Sequence, residues 1–104
     1  MELGVVIGQV VSTAKCPEMT GDRLLLVHLV DPTKKKGARV ASNAVSHVAV
    51  DAVGAGVGEW VLLTRGSSAR LANKAQQPVD LSIVGIVDEV VIGNQVSYSK
   101  RDES

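Results

Sequence analysis

The chain has 104 residues, 45% of them apolar and only 2% aromatic, and its 11 basic residues balance 11 acidic ones. That length fits one small domain, and zero net charge argues against a dedicated nucleic-acid binder, which needs a basic face. Cys16 is the only cysteine, so neither an intrachain disulfide nor a cysteine-built zinc cluster is open to the chain, and a reducing, cytosolic setting fits.

With no Phe, one Trp and one Tyr, the core has to be built from Val, Leu, Ile and Ala, and β-branching favours strands. Residues 3–13 read as the first strand, in which Gly4 and Gly8 predict a bend, a bulge or a close backbone approach. This apolar start reads as a strand and not as a signal peptide, and no segment reaches the length of a membrane span. Pro17 and Gly21 make the next stretch a loop. Residues 23–30, RLLLVHLV, are apolar at nearly every position, which predicts a strand covered on both faces, one cover being open to a second subunit. Residues 31–37, DPTKKKG, form a turn whose run of Lys34, Lys35 and Lys36 reads as a solvated tip. Residues 38–46 favour no element.

Residues 47–53 read as the third strand, and the glycine-rich loop of Gly54, Gly56 and Gly58 leads into a fourth strand over residues 60–65. Ser67 or Ser68 is placed to cap a short helix that Pro78 ends. Residues 81–92, LSIVGIVDEVVI, read as one long fifth strand bent at Gly85, and Gly93 with Asn94 turns the chain into a short sixth strand, QVSYS. The polar tail KRDES is expected to fray. The expected fold is mainly β: a small five- to six-stranded OB-like β-barrel over residues 1–92, with one short helix between the fourth and fifth strands, and a C-terminal extension over residues 93–104.

The chemical candidates fail for want of partners. In the loop at residues 54–58 the third glycine comes one place too early for a dinucleotide fingerprint, strand residues follow it instead of a helix, and no Gly-Lys-Ser/Thr completes a P-loop. It reads as a turn that needs positive φ or lets another backbone come close. Ser67 as a nucleophile needs a base and a group to orient that base, yet the only histidines, His28 and His47, lie in apolar strands without an evident acidic partner. Asp51, Glu59, Asp80, Asp88 and Glu89 show no spacing that gathers them on a metal, and Cys16 reads as a plain thiol. Two aromatic residues give almost no platform for stacking bases. Composition and pattern thus predict an oligomeric β domain with no enzyme activity, cofactor or metal. A small OB-type module binding nucleic acid or a small ligand stands as the alternative.

Three ordered blocks carry a resemblance: VIGQVVSTAKCPEMTGDRLLLV at residues 6–27, VAVDAVGAGVGEWVLLTRGSSAR at residues 48–70 and PVDLSIVGIVDEV at residues 78–90. Together they resemble the EutN/CcmL family, the pentameric vertex proteins of bacterial microcompartments. The resemblance implies an OB-like barrel, a homopentamer, and a structural role at the corners of a polyhedral shell in the cytoplasm. It also implies contact with the hexameric shell proteins that tile the facets. Gly54, Gly56, Gly58 and Glu59 match the family's Gly-Ala-Gly-x-Gly-Glu segment. Gly66, Ser67, Ser68, Ala69 and Arg70 match its Gly-Ser-Ser-Ala-Arg segment. The implied subunit-contact or pore residues are Gly54, Gly56, Gly58, Glu59, Ser67, Ser68 and Arg70. On this reading Gly56→Val weakens ring formation more than barrel folding. Cys16, Trp60, the loop at residues 31–46 and the tail depart from the pattern.

Overall fold

The computed structural model describes residues 1–12, 23–66 and 80–103. Among them the chain forms strands β1 (Glu2–Val10), β2 (Leu24–Leu29), β3 (His47–Asp51), β4 (Trp60–Arg65), β5 (Leu81–Ile86), β6 (Glu89–Ile92) and β7 (Gln95–Ser99), then one helical turn, α1 (Lys100–Glu103). The first five strands close into a barrel in the order β1-β2-β3-β5-β4, while β6 and β7 form a separate two-stranded sheet. All barrel pairings are antiparallel except β3 with β5, which run parallel. This is the OB-like barrel that the sequence predicts. The helix predicted between β4 and β5 falls on residues that lie outside the described ones.

The barrel interior is aliphatic, as a composition with no Phe and one Trp demands. Val6, Leu25, Val27, Ala49, Val61, Leu63 and Ile83 turn inward from their strands and pack together, following the two-residue side-chain period of a strand. Burial of this set from water is the main force closing the barrel. In β1 the register with β2 slips between Val6 and Gly8, so Ile7 is an added residue that bends the strand around the barrel. Gly4 is the point of closest approach. A Cβ there would lie 2.8 Å from Leu63 Cδ1 and 3.1 Å from the His28 carbonyl oxygen, so the wall closes only where residue 4 has no side chain.

Within the single chain RLLLVHLV is covered on one face: Leu24, Leu25 and Val27 are buried, while Leu26, His28 and Leu29 remain partly exposed, and the second cover is the one the sequence left open to another subunit. One strand expectation changes. The stretch at residues 81–92 is two strands. Val87 N–H still donates to the Trp60 carbonyl (2.8 Å), but Asp88 turns the chain out of the barrel, and its carbonyl accepts Lys100 N–H (2.8 Å) to close the base of the β6–β7 hairpin. A second core holds that hairpin in place. Trp60 and Tyr98, the chain's two aromatic residues, stack with centroids 3.9 Å apart and planes 9° from parallel. Val87 joins them, and Leu3, Val5, Leu62 and Val90 pack around. The outward side of β1 and β4 is thus covered by the chain's own C-terminal hairpin.

Candidate functional site

The loop at residues 52–59 links β3 to β4, and a carboxylate organises it from within. Asp51, at the end of β3, has a side chain only 1% exposed. Its Oδ1 accepts the N–H groups of Val53 (3.1 Å) and Gly54 (2.9 Å). Its Oδ2 accepts Ala55 N–H (3.0 Å) and Arg23 Nη1 (2.9 Å). Arg23 Nη1 also donates to the Ala55 carbonyl (2.8 Å). A buried carboxylate is tolerated only when its oxygens are met in this way, and charge-assisted bonds are the strong ones. The clamp presses Ala55 into the barrel core, where it is fully buried, and leaves Val53 and Val57 exposed on the outside.

The rest of the loop is tied to β1 and to the C-terminus. Gly58 N–H donates to the Val6 carbonyl (2.8 Å), and Val6 N–H to the Glu59 carbonyl (3.0 Å). Gly56 N–H donates to Glu59 Oε1 (2.6 Å), and Lys100 Nζ to Glu59 Oε2 (2.6 Å). The Lys100 bond, then the Gly56 N–H, hold the Glu59 carboxyl below its ordinary pKa of 4.5. The same bond holds the Lys100 ammonium above its ordinary 10.5.

Gly54 and Gly58 have φ of +85° and +91°, a region that side chains reach only with strain. Gly56 does not share it: its φ is not in that region, and a Cβ there would meet Glu59 Oε1 at 3.5 Å, an ordinary contact. The conformational demand expected at Gly56 therefore falls on its two neighbours.

The structure brings Gly54, Gly56, Gly58 and Glu59 into one loop. Ser67, Ser68 and Arg70 lie outside the described residues, as does Cys16. Sequence reasoning weighed Asp51 only as a metal ligand and missed its place in this loop, and it missed Arg23, Lys100, Val53 and Val57. For Asp51 a local signal existed, since an Asp just before a glycine turn commonly accepts N–H bonds from the residues that follow it. Arg23 and Lys100 are 28 and 41 residues from the groups they bond and carry no local signal.

The chemistry of the loop is closed on itself. The N–H groups of residues 53–56 and 58 all donate within the chain, and the position an anion would take is filled by the Asp51 carboxylate. Among the described residues no group of three or more His, Cys, Asp or Glu is placed to hold a metal. His28 Nε2 stands 2.9 Å from Ser46 Oγ at an exposed position. Trp60 and Tyr98 are 6% and 2% exposed and cover each other, so neither offers a face to a base.

A small closed barrel, with a loop whose polar groups are used internally and whose outer tip is aliphatic, is a scaffold type of β domain. Residues 1–88 match the model of a family described as ethanolamine utilisation protein EutN/carboxysome, and the chain belongs to this EutN/CcmL family. The bacterial microcompartment shell vertex protein EutN of Escherichia coli K12 is 48% identical over 101 residues, which span 96% of this chain and 100% of that one. The solved structure of Gloeobacter violaceus CcmL superposes with a TM-score of 0.84 at 43% identity, covering 98% of this chain and 100% of that one. GrpN, a pentameric microcompartment shell protein from Rhodospirillum rubrum, superposes with a TM-score of 0.75 at 40% identity, covering 89% and 100%.

Proposed function

We propose that this protein is a structural shell protein that assembles into homopentamers and caps the vertices of a polyhedral bacterial microcompartment. The observation that carries this reading is near-complete, end-to-end similarity to shell vertex proteins in both sequence and fold. Hexagonal tiles alone make a flat sheet, so a closed shell needs five-fold corners. The facing partners are then hexameric shell proteins, whose edges the pentamer rim meets. The role needs no catalytic group, and the internally closed loop chemistry supports a protein that is not an enzyme.

A head-to-tail contact closes into a ring only when the rotation between copies is right. Loop 52–59 suits that demand. Its path is held by Asp51 and Arg23, and its outer side carries exposed Val53 and Val57. Burying such aliphatic side chains against a neighbour favours association. Gly54, Gly56, Gly58 and Glu59 belong to this contact on our reading, and Ser67, Ser68 and Arg70, the other contact or pore candidates, lie outside the described residues.

Native mass spectrometry tests the assembly. The expected species has five times the 10.9 kDa mass of the chain. A clean monomer at micromolar concentration would overturn the reading. Nothing in the site favours the nucleic-acid alternative, because both aromatic side chains are enclosed.

A further inference from the structure

Lys34, Lys35 and Lys36 play no part in the glycine-rich loop, yet the turn that carries them is built firmly. The Asp31 carboxylate accepts the Thr33 N–H (2.9 Å) and hydroxyl (2.5 Å). Asp31 N–H donates to the Arg39 carbonyl (2.9 Å), and Ala38 N–H to the Lys35 carbonyl (2.9 Å). The turn is also fastened to the C-terminal hairpin. Arg39 Nη2 donates to the Ser97 carbonyl, and Ser97 Oγ donates to the Pro32 carbonyl. The Arg39 guanidinium lies over Trp60, 5.2 Å from the ring centroid.

Between the fastened turn and the hairpin is an open cleft of about 330 Å³, with Lys34, Lys35, Lys36 and Arg39 on one side and Ile92 and Val96 on the other. Ile92 and Val96 are 44% and 53% exposed. We propose that this cleft docks an acidic segment of a partner protein, one that carries an aliphatic side chain between its carboxylates.

Charge and shape together select this occupant. Residues 31–39 hold four cations against one carboxylate, in a chain of zero net charge. The Asp31 carboxylate accepts the two Thr33 bonds and also feels Lys34, and four cations against its one charge leave the turn with an excess of positive charge beside the cleft. Positive potential at a concave, partly apolar surface draws in anionic groups and orients them. The wall of Ile92 and Val96 separates this site from a plain cation patch, because its burial requires an apolar contact from the occupant. The volume admits a few side chains, not a folded domain. A nucleic acid brings flat bases with at most the thymine methyl as an aliphatic group, and the aromatic faces on which bases stack are enclosed in this chain. The proposal goes beyond vertex assembly and does not rest on it.

Fluorescence anisotropy on the full-length protein tests the idea with labelled twelve-residue probes. The first probe repeats Asp-Glu-Leu, the second repeats Asp-Glu-Ser, and the third is a thymidine oligonucleotide. The first probe is expected to bind saturably, at least about fivefold tighter than the second, and to weaken as added salt shortens the screening length. Lys34→Glu with Lys36→Glu is expected to weaken it at least about tenfold, and Val96→Ser about threefold, since both charge and apolar contact contribute. Native mass spectrometry of each variant separates a lost docking site from a lost assembly. Equal binding of the serine probe, tighter binding of the oligonucleotide, unchanged binding by the variants, or no binding of the first probe overturns the proposal.

Discussion

Loop 52–59 and the turn at residues 31–39 are fixed by different strategies. Loop 52–59 takes its turn from the residue that precedes it, Asp51, which gathers three N–H groups from the next four residues, while Arg23, Val6 and Lys100 tie the loop to the rest of the chain. The turn at residues 31–39 has local bonds of its own, Thr33 to Asp31 and Ala38 to Lys35, but it is fastened in place from far along the chain, by Ser97 through contacts 58 and 65 residues apart in sequence, and by the aromatic stack beneath Arg39. The first loop has its shape as soon as the barrel closes. The second depends on a hairpin that packs outside the barrel, so its geometry reports whether the C-terminus has docked. Changes in one loop are therefore expected to leave the other intact, and hydrogen exchange resolves the two.

The largest effect is expected from removing the second core. Tyr98 is 2% exposed and stacks on Trp60, and Tyr98→Ala deletes most of that packing, at a cost of about 3–4 kcal/mol. Urea unfolding measures the loss. Amide protons of residues 31–39 and 95–99 are expected to lose protection while those of residues 53–58 keep it. Equal loss in both loops would dissolve the contrast.

Asp51→Ala does the reverse. It leaves three loop N–H groups without their acceptor and removes the partner of Arg23. Arg23 is 44% exposed and regains water, which limits the cost to about 2–3 kcal/mol. Asp51→Asn is expected to fare little better. An amide keeps one acceptor for Val53 and Gly54 but points a donor at Ala55 N–H and Arg23, which are donors themselves. If Asn restores parental stability, the carboxylate charge is not what shapes the loop.

This contrast also explains what was legible in the sequence. The aliphatic strands, the glycine loop and the closed OB-like barrel were legible because the two-residue period and the glycines act locally. The break at Val87 and Asp88 was not, although Asp88 and Glu89 interrupt the apolar run there, because two polar residues also fit the solvent side of one bent strand, and only the Trp60 carbonyl and Lys100 N–H show where the chain leaves the barrel. Trp60, set apart from the family pattern by sequence, is the residue on which the hairpin docks. The site was half legible: Gly54 and Gly58 declare their turn chemistry, whereas Arg23 and Lys100 reach it only through the fold.

Alanine at each of the three glycines sharpens the comparison within one loop. Gly54→Ala and Gly58→Ala force a side chain into positive φ and are each expected to cost about 1–2 kcal/mol. Gly56→Ala meets only Glu59 Oε1, at 3.5 Å. Removing a glycine at ordinary φ also restricts the unfolded chain, so its net effect is expected to stay under about 0.5 kcal/mol. Thermal unfolding of the three variants gives the order. Gly56→Val is then the informative assembly variant: a loss of pentamer with little loss of barrel stability locates that glycine at the subunit contact, whereas intact pentamer gives it no role there.

The smallest effect joins the glycine loop to the hairpin, through Lys100 and Glu59. Both side chains retain solvent, 46% and 23% exposed, so screening keeps the pair weak. Its pH dependence nevertheless has a definite sign. Glu59 titrates lower in the folded chain than its ordinary 4.5, so its contribution is present above that value and is lost as pH falls through the folded pKa. Lys100 titrates higher than its ordinary 10.5. Its contribution is present below that value and is lost as pH rises through the folded pKa. The pair is thus closed across the neutral range and opens at both extremes. Lys100→Gln removes the largest cause of the Glu59 shift, so the Glu59 carboxyl resonance is expected to titrate at higher pH in the variant, with Gly56 N–H alone still holding it down. An unchanged Glu59 titration would mean that Lys100 does not engage it in solution, and that the hairpin reaches the glycine loop only through Trp60.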